Sequence, residues 1–360
     1  MEGLVAGDWQ GRRVFLTGHT GFKGSWLALW LARLGAEVTG FALPPPTVPS
    51  LFAQAGVRER VRHVEGDVRD AEAVARAMAE ARPELVLHLA AQPLVRYSYE
   101  APVETYAVNV MGTAHVLEAA RHVGSVRGVV CITTDKCYEN REWPWPYRET
   151  DPMGGHDPYS SSKGAAELVI AAYRRSFFDG GRVASVRAGN VIGGGDYAAD
   201  RLVPDVIRAV ERTERPIIRA PNSVRPWQHV LEALGGYLLL AERLLGGEDV
   251  AGAFNFGPAE DDAKPVGWVV ERLLAALGAQ GWDRPEGAQP HEATLLRLDT
   301  SLARARLGWW PVLGLAEALD LTAGWHRAVA DGADAAEVTL TQIGDYEARL
   351  RASLSAREFA

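Results

Sequence analysis

Two side chains four residues apart carry the clearest chemical signal in the chain: Tyr159 and Lys163, in the run Tyr159-Ser160-Ser161-Ser162-Lys163. On a helix that spacing puts both on one face. An ammonium group beside a phenol favours the phenolate and draws its pKa toward neutrality. Such a phenolate can take the proton of an alcohol while the carbon beneath gives up a hydride. The same spacing also arises by chance, as an exposed helical turn with a cation over a ring. Here the pair follows Thr133-Thr134-Asp135-Lys136, which closes an apolar run, and a glycine-rich turn near the N-terminus. That setting favours chemistry.

A hydride needs an acceptor, and the glycine-rich turn Thr17-Gly18-His19-Thr20-Gly21-Phe22-Lys23-Gly24 suits one. With 37 glycines in 360 residues the spacing alone is weak; its place between a strand and a helix is what strengthens it. Glycines at 18, 21 and 24 allow a tight turn, let the backbone approach a pyrophosphate, and aim a helix N-terminus at its charge. The implied cofactor is NAD, with His19 and Phe22 inside the turn and His19 in reach of the phosphates. Asp67-Val68 follows the third strand, where a carboxylate could accept from an adenine amino group; Asp67 reads equally well as a solvated helix N-cap. The second strand ends Gly40-Phe41-Ala42-Leu43, without the acid that usually grips the adenosine ribose. No arginine stands there for a 2′-phosphate either.

The elements that must position these groups alternate. Strands are expected at Arg13–Thr17, Glu37–Leu43, Val61–Glu65, Leu85–Ala90, Gly128–Thr133 and Arg182–Arg187. Helices are expected at Lys23–Leu34, Asp70–Ala81, Val103–His122 and Tyr159–Arg174. Near-continuous apolar strands separated by helices predict a parallel sheet covered on both faces, a doubly wound α/β Rossmann fold. After about Ile192 the rhythm changes: Leu202–Glu211 and Val230–Leu245 read as helices, Ile217–Arg219 and Gly252–Phe256 as extended, with further helices beyond. The division is therefore a dinucleotide-binding domain over 1–190 and a smaller α+β substrate-binding region over 191–360, with some chain crossing back to the sheet. The Trp-, Pro- and Gly-rich segment Glu139–Pro158 reads as a loop over a site.

Composition narrows the class. A net charge of −8 argues against a general nucleic-acid binder. Two cysteines, Cys131 and Cys137, make no disulfide framework and favour a reducing compartment, hence a cytoplasmic protein. The first ten residues lack the basic and apolar regions of a signal peptide, and no apolar run approaches 18 residues, so no membrane partner is expected. The nine histidines show no metal-ligand spacing; His88 reads as a strand residue facing the core. Trp143 and Trp145 sit in the loop, to cover a ligand or to pack the loop down.

Taken together, the motifs resemble those of the extended short-chain dehydrogenase/reductases, and within them the nucleotide-sugar 4,6-dehydratases. The resemblance is carried by Thr17–Leu27 (TGHTGFKGSWL), Pro45–Phe52 (PPTVPSLF), Leu89–Pro93 (LAAQP), Thr133–Asn140 (TTDKCYEN), Tyr159–Lys163, Arg187–Asp196 (RAGNVIGGGD), Arg201–Pro204 (RLVP) and Arg225–Val230 (RPWQHV), and spans roughly residues 10 to 330. It implies that Tyr159, with Lys163, takes the proton of a sugar 4-hydroxyl that Thr134 hydrogen-bonds. Hydride passes from C4 to NAD⁺ and returns to C6 after water is eliminated. It adds Leu89, Ala90 and Ala91 to the cofactor contacts. In related dehydratases an Asp-Glu pair follows the threonine, as acid and base; here Asp135-Lys136 follows. Asp135 suits the acid only if its site raises its pKa, and Lys136 suits the C5 base only if made neutral. That departure matches the branch acting on CDP-linked glucose.

A nucleotide sugar carries a diphosphate, which calls for arginines and backbone N–H donors. By motif position the resemblance implies substrate contacts from Asn190, Arg201, Leu202, Val203, Arg225 and Asn255, with Arg219 less supported by motif and readable as a surface ion-pair residue. His291-Glu292 looks family-like, but Ala293 and Thr294 follow where relatives place an arginine, so no diphosphate role is assigned. A nucleotide-sugar 4-epimerase shares the Tyr-Lys pair but needs no acid–base pair for elimination. A non-catalytic NAD or nucleotide-sugar sensor would be expected to lose the tyrosine, lysine or threonine. In similar enzymes the helices Val103–His122 and Tyr159–Arg174 form a dimer interface, so a homodimer is expected.

Overall fold

The computed structural model describes residues 9–179, 181–285 and 295–358. Its first part alternates as the sequence predicts: β1 (Arg13–Thr17), α1 (Phe22–Arg33), β2 (Glu37–Ala42), the short α2 (Leu51–Gln54), β3 (Arg62–Glu65), α3 (Ala71–Ala81) and β4 (Leu85–His88). Then come α4 (Val95–Glu100), α5 (Pro102–Tyr106), α6 (Gly112–His122), β5 (Gly128–Ile132), α7 (Pro158–Phe177) and β6 (Val183–Ala188). The one long helix expected over Val103–His122 is interrupted: a π-helical turn, Ala107–Met111, separates α5 from α6. It carries Asn109, whose side chain bonds the backbone N–H and carbonyl of Gln92 and the hydroxyl of Ser162. Such turns recur where a helix re-aims a side chain.

Beyond β6 lie β7 (Asn190–Ile192), α8 (Leu202–Glu211), β8 (Trp227–His229), α9 (Val230–Leu245), β9 (Ala253–Phe256), α10 (Val266–Ala276), α11 (Ser301–Leu307), α12 (Leu315–Ala330) and α13 (Ala335–Glu358). Seven parallel strands form the main sheet in the order β3-β2-β1-β4-β5-β6-β9. Strands β4, β5 and β6 are buried along their whole length, which is why they read as unbroken apolar runs. Residues Gly24–Leu31 of α1 are all buried, because the helix packs between the sheet and α13. The Trp30 indole donates to Glu347 on α13 at 2.7 Å.

Part of the chain beyond residue 190 returns to the first sheet. Strand β9 pairs with β6, Arg187 opposite Asn255, and α9 packs on β5 and β6, so both belong to the dinucleotide-binding half. Only β7, β8, α8, α10 and α12 build the second unit, around a separate core that includes Val206, Ile207, Trp227, Val269, Leu273 and Leu319. A four-residue strand such as AFNF carries no mark of which sheet it joins, so sequence alone could not assign it.

Candidate active site

At the end of β1 the chain turns on Gly18 (φ +76°), where a Cβ would lie 2.7 Å from the Ala90 nitrogen. A Cβ on Gly24 would lie 2.1 Å from the Gly18 carbonyl oxygen. Both must be glycine. Gly21 caps α1 with no side-chain hydrogen bond, leaving the first-turn N–H groups free to face an anion. Thr17 fixes the neighbouring wall: its hydroxyl accepts from the Leu89 and Ala90 N–H groups, both at 3.1 Å. It in turn meets His88 Nδ1 at 2.8 Å. The other ring nitrogen of His88 lies 3.1 Å from Thr113, whose hydroxyl donates to the Asn109 carbonyl. His88 is thus a satisfied core histidine, and burial lowers its pKa to about 3. The tight glycine turn and the uncapped N-terminus of α1 fit a dinucleotide pyrophosphate.

His19 does not reach that pyrophosphate with its ring. The imidazole is fully buried against Gly40 and Phe52, with Nε2 2.7 Å from His63 Nδ1. Burial, then the neighbouring His63, lowers its pKa to about 3. Its Nε2 is taken by His63, while Nδ1 is buried without a partner among the described residues. Asp67 is gripped by Arg69, whose backbone N–H and guanidinium hold its carboxyl below the usual range against the opposing effect of burial. The N-cap of α3 is Asp70, which accepts from the Ala73 N–H, so the capping role that Asp67 could have taken falls to its neighbour. Val68 is buried beneath Gly112.

The reacting groups gather at the C-terminal ends of β5 and β6. Asp157 caps α7 by accepting from the Ser160 N–H at 2.8 Å, and Pro158 starts the helix. Tyr159 and Lys163 then stand one turn apart, both less than a tenth exposed, in the wall of a cleft of about 1490 Å³. Thr134, Asp135 and Lys136 face the same cleft from the end of β5. Burial pushes the Tyr159 phenol up to about 12, opposed by a hydrogen bond with Thr134 and the charge of Arg201. Without ligand, desolvation therefore outweighs the pull toward neutrality that the spacing alone suggested. Lys163 is drawn down to about 8 by burial, with Glu167 the first group opposing.

Asp135 meets its stated condition. It is 2% exposed; Oδ1 accepts from the Thr134 hydroxyl at 3.0 Å, and Oδ2 is buried with no partner among the described residues. Burial raises its pKa against Lys136, Thr134 and Arg225. A carboxyl whose pKa is raised by burial, with one oxygen unpartnered at a cleft wall, has the placement a general acid needs.

One cleft residue escaped the sequence reading. Lys23, half-buried in the first turn of α1, has its pKa lowered to about 7, by burial and then by Arg201 and Lys163. A lysine inside a glycine-rich turn was the available signal; its cost appears only when Arg201 and Lys163 are seen beside it.

The distal cleft is lined by Asn190, Arg201, Leu202, Val203, Arg219 and Arg225. Asn190 on β7 pairs with Trp227 on β8, which brings the segment after Arg225 alongside it. Arg201 precedes α8, binds Asp196 at 3.0 Å, and leaves the N–H groups of the first turn without a side-chain cap. Asn255 is not part of this cleft. It is fully buried, accepts from the Tyr138 hydroxyl at 2.7 Å, and donates to the Tyr147 and Asp299 carbonyls. These bonds tie Tyr138, Tyr147 and Asp299 to the sheet edge. The 139–158 loop does border the cleft, through Asn140, Arg141, Glu142 and Gly155–Asp157. Trp143 stacks on Tyr147 and Trp145 is exposed; neither lines the cleft. His291, Glu292, Ala293 and Thr294 lie outside the described residues. Among the described residues no group of three or more His, Cys, Asp or Glu could hold a metal ion.

Residues 14–257 match the NAD dependent epimerase/dehydratase family, and the chain belongs to it. Within that family it is 52% identical to the CDP-glucose 4,6-dehydratase of Salmonella typhimurium over 347 residues, 94% of this chain and 97% of that one. It is 29% identical to the UDP-glucose 4-epimerase of Mycolicibacterium smegmatis, over 88% of this chain and 98% of the relative. The dTDP-glucose 4,6-dehydratase of Streptomyces venezuelae, solved with NAD bound, superposes with a TM-score of 0.76 at 25% identity, covering 88% and 97% of the two chains.

Proposed function

We propose that the protein is an NAD-dependent CDP-glucose 4,6-dehydratase, converting CDP-glucose to CDP-4-dehydro-6-deoxyglucose in deoxysugar biosynthesis. The observation that carries this reading is the pairing of Tyr159 and Thr134 with a buried, partnerless carboxyl oxygen on Asp135. Oxidation alone needs the first two; elimination of water needs the third. Similarity to the Salmonella enzyme supports the choice of CDP-glucose.

Gly18, Gly21, Gly24, the N–H groups of Phe22 and its neighbours, and the wall Leu89–Ala91 would hold NAD, which when bound would supply the hydride acceptor and donor for the sugar. Tyr159 accepts the 4-hydroxyl proton, Thr134 orients that oxygen, and Lys163 supplies positive charge behind the phenol. Asp135 delivers a proton to the departing 6-hydroxyl. The C5 base stays open between Lys136, which borders the cleft beside Asp135 and could serve only with its amine neutral, and another group. Arg201, Arg219 and Arg225, with the N–H groups of Leu202 and Val203, bind the diphosphate and its nucleoside, and Asn190 the sugar side.

The chain is read as acting in the cytoplasm, with Cys131 and Cys137 both free and buried; no helix among the described residues is long and apolar enough to cross a membrane. Exposed Tyr99, Val103, Met111, Leu168 and Phe177 on α4–α7 support a homodimer through those helices, which light scattering would test.

The deciding assay is incubation with NAD⁺ and, separately, CDP-, UDP-, dTDP- and GDP-linked hexoses, followed by mass. Loss of one water from CDP-glucose alone is the expected result. Loss of water from another nucleotide sugar keeps the mechanism and overturns the substrate. Unchanged mass with interconversion of glucose and galactose forms makes the protein an epimerase.

A further inference from the structure

Tyr159, Lys163 and Glu167 follow one another at intervals of four along α7, so they line one face of the helix. The first two reach the cleft. Glu167 points instead into the protein, where it forms an ion pair with Arg187 of β6 at 2.8 Å, both side chains 4% exposed. Its remaining lone pairs are used: Oε1 accepts from the Thr133 hydroxyl at 2.5 Å, and Oε2 from the Ser185 hydroxyl at 2.8 Å. Arg187 extends the network to the far side, donating to the Tyr138 hydroxyl at 2.7 Å and the Glu149 carbonyl at 3.1 Å. Its guanidinium also lies over the Tyr138 ring, 5.0 Å from the centroid.

Thr133 immediately precedes the segment Thr134–Lys136, and Tyr138 closes the turn that follows it. The Glu167–Arg187 pair therefore grips both ends of the segment bearing Thr134, Asp135 and Lys136, from the helix bearing Tyr159 and Lys163. Burying two charges is expensive, and such a pair can often be replaced by apolar residues without loss of stability. Stability alone is a weak reason for it here.

We propose that Glu167, held by Arg187, is a positioning residue for the reaction: it fixes the register of α7 against Thr134–Lys136 and supplies the negative charge facing Lys163. This rests on the dehydratase reading for what the register serves, not for the charge relation itself. The groups facing Lys163 from the surrounding elements are Cys131 on β5, Cys137 in the turn, His88 on β4 and Lys23 on α1. Burial pushes both thiols up, and Glu167 adds to these groups the carboxylate that faces Lys163. Burial draws Lys163 down to about 8, and Glu167 is the first group holding it up.

The test is the pH titration of Lys163, read by competitive acetylation with acetic anhydride and mass spectrometry of its peptide, alongside the pH profile of kcat with CDP-glucose. Glu167→Gln should move the Lys163 midpoint, and the alkaline limb of kcat, down by roughly one pH unit, the Coulomb effect of one charge a helical turn away. KM should change little, because Glu167 lies outside the cleft lining. Glu167→Asp should return the midpoint toward that of the parent. Because Glu167→Gln leaves a buried guanidinium unpaired, the double variant Glu167→Gln/Arg187→Met removes both charges and should fold with a smaller downward shift, since the opposing cation goes with the carboxylate. Midpoints in both variants that superimpose on the parent's would overturn the proposal. A parent that acetylates as expected but dehydrates no CDP-glucose would sink the functional reading and leave the charge relation standing.

Discussion

Replacing Asp135 by asparagine separates oxidation from elimination. Asparagine keeps the size of the side chain and an oxygen to accept from Thr134 at the 3.0 Å now seen, so the position of Thr134 beside Tyr159 should survive. What disappears is the proton to be delivered. Removal of a general acid costs about 10²–10⁴ in rate, or ~3–5 kcal/mol of barrier. Proton abstraction by Tyr159 and hydride departure precede that step and should be nearly untouched. Reduced cofactor should then accumulate toward one equivalent per active site, visible in its near-ultraviolet absorbance on mixing holoenzyme with CDP-glucose. Stability provides the control. The Asp135 pKa is raised on folding, so its carboxyl favours the fold below its unfolded value and that contribution is lost as pH rises through the folded one. Asparagine removes this loss, so thermal stability at pH 8 should be equal or higher. Absence of accumulated reduced cofactor, with oxidation slowed as much as overall turnover, would refute the assignment of Asp135 as the acid.

Tyr159→Phe should bind cofactor and substrate almost normally yet lose about 10²–10⁴ in kcat, measured by single turnover, as loss of a general base requires; comparable turnover would remove Tyr159 from the chemistry. Asn255→Ala takes the acceptor from the buried Tyr138 O–H and a donor from the Asp299 carbonyl, while Tyr138 keeps Arg187 and the Tyr147 carbonyl keeps the Asp299 N–H, so roughly 1–3 kcal/mol of stability should go, by denaturant titration. KM for the nucleotide sugar should hold in the folded fraction; a selective rise in KM would restore Asn255 to the substrate site. Glu232, buried on α9, accepts from the Val312 and Leu313 N–H groups and the Tyr346 hydroxyl, and burial pushes its pKa from 4.5 up to about 7. Its contribution to stability is full below about pH 4.5 and is lost as pH rises to about 7, a change of roughly 3 kcal/mol. Glu232→Gln should flatten that interval in melting curves between pH 5 and 8; an unchanged slope would show that Glu232 is not its source.

The doubly wound fold was legible in the alternation of apolar runs and helices, and so was the set of residues that meet at one cleft. Tyr159, Lys163, Thr134 and Asp135 could be named because a catalytic spacing on a helix, and a motif at a strand end, survive as local patterns. Gly18 and Gly24 of the first turn were legible for the same reason: each occupies a place where a side chain would collide with backbone. His19 misled because the pattern shows its position and not the direction of its ring, which a partner 44 residues away decides. Asn255 misled in the same manner, its partners lying on the 138–147 segment and at Asp299. Lys23 went unremarked because a lysine is unusual there only once Arg201 and Lys163, remote in sequence, crowd it. Properties set by contacts across the sheet were the ones that a linear reading lost.

The seating of β9 beside β6 bears on how the molecule is made. A chain emerging in order from a ribosome can complete six strands by residue 188, yet β6 then presents a bare edge of peptide groups. It is covered only after 64 further residues, from Gly189 to Gly252, have passed. Those residues build β7, α8 and β8 and lay α9 across the sheet before the edge is sealed. An uncovered parallel edge is an invitation to pair with another chain. The nucleotide-sugar half is thus threaded through the making of the cofactor half, and a fragment ending at residue 190 should be sticky rather than a free-standing domain.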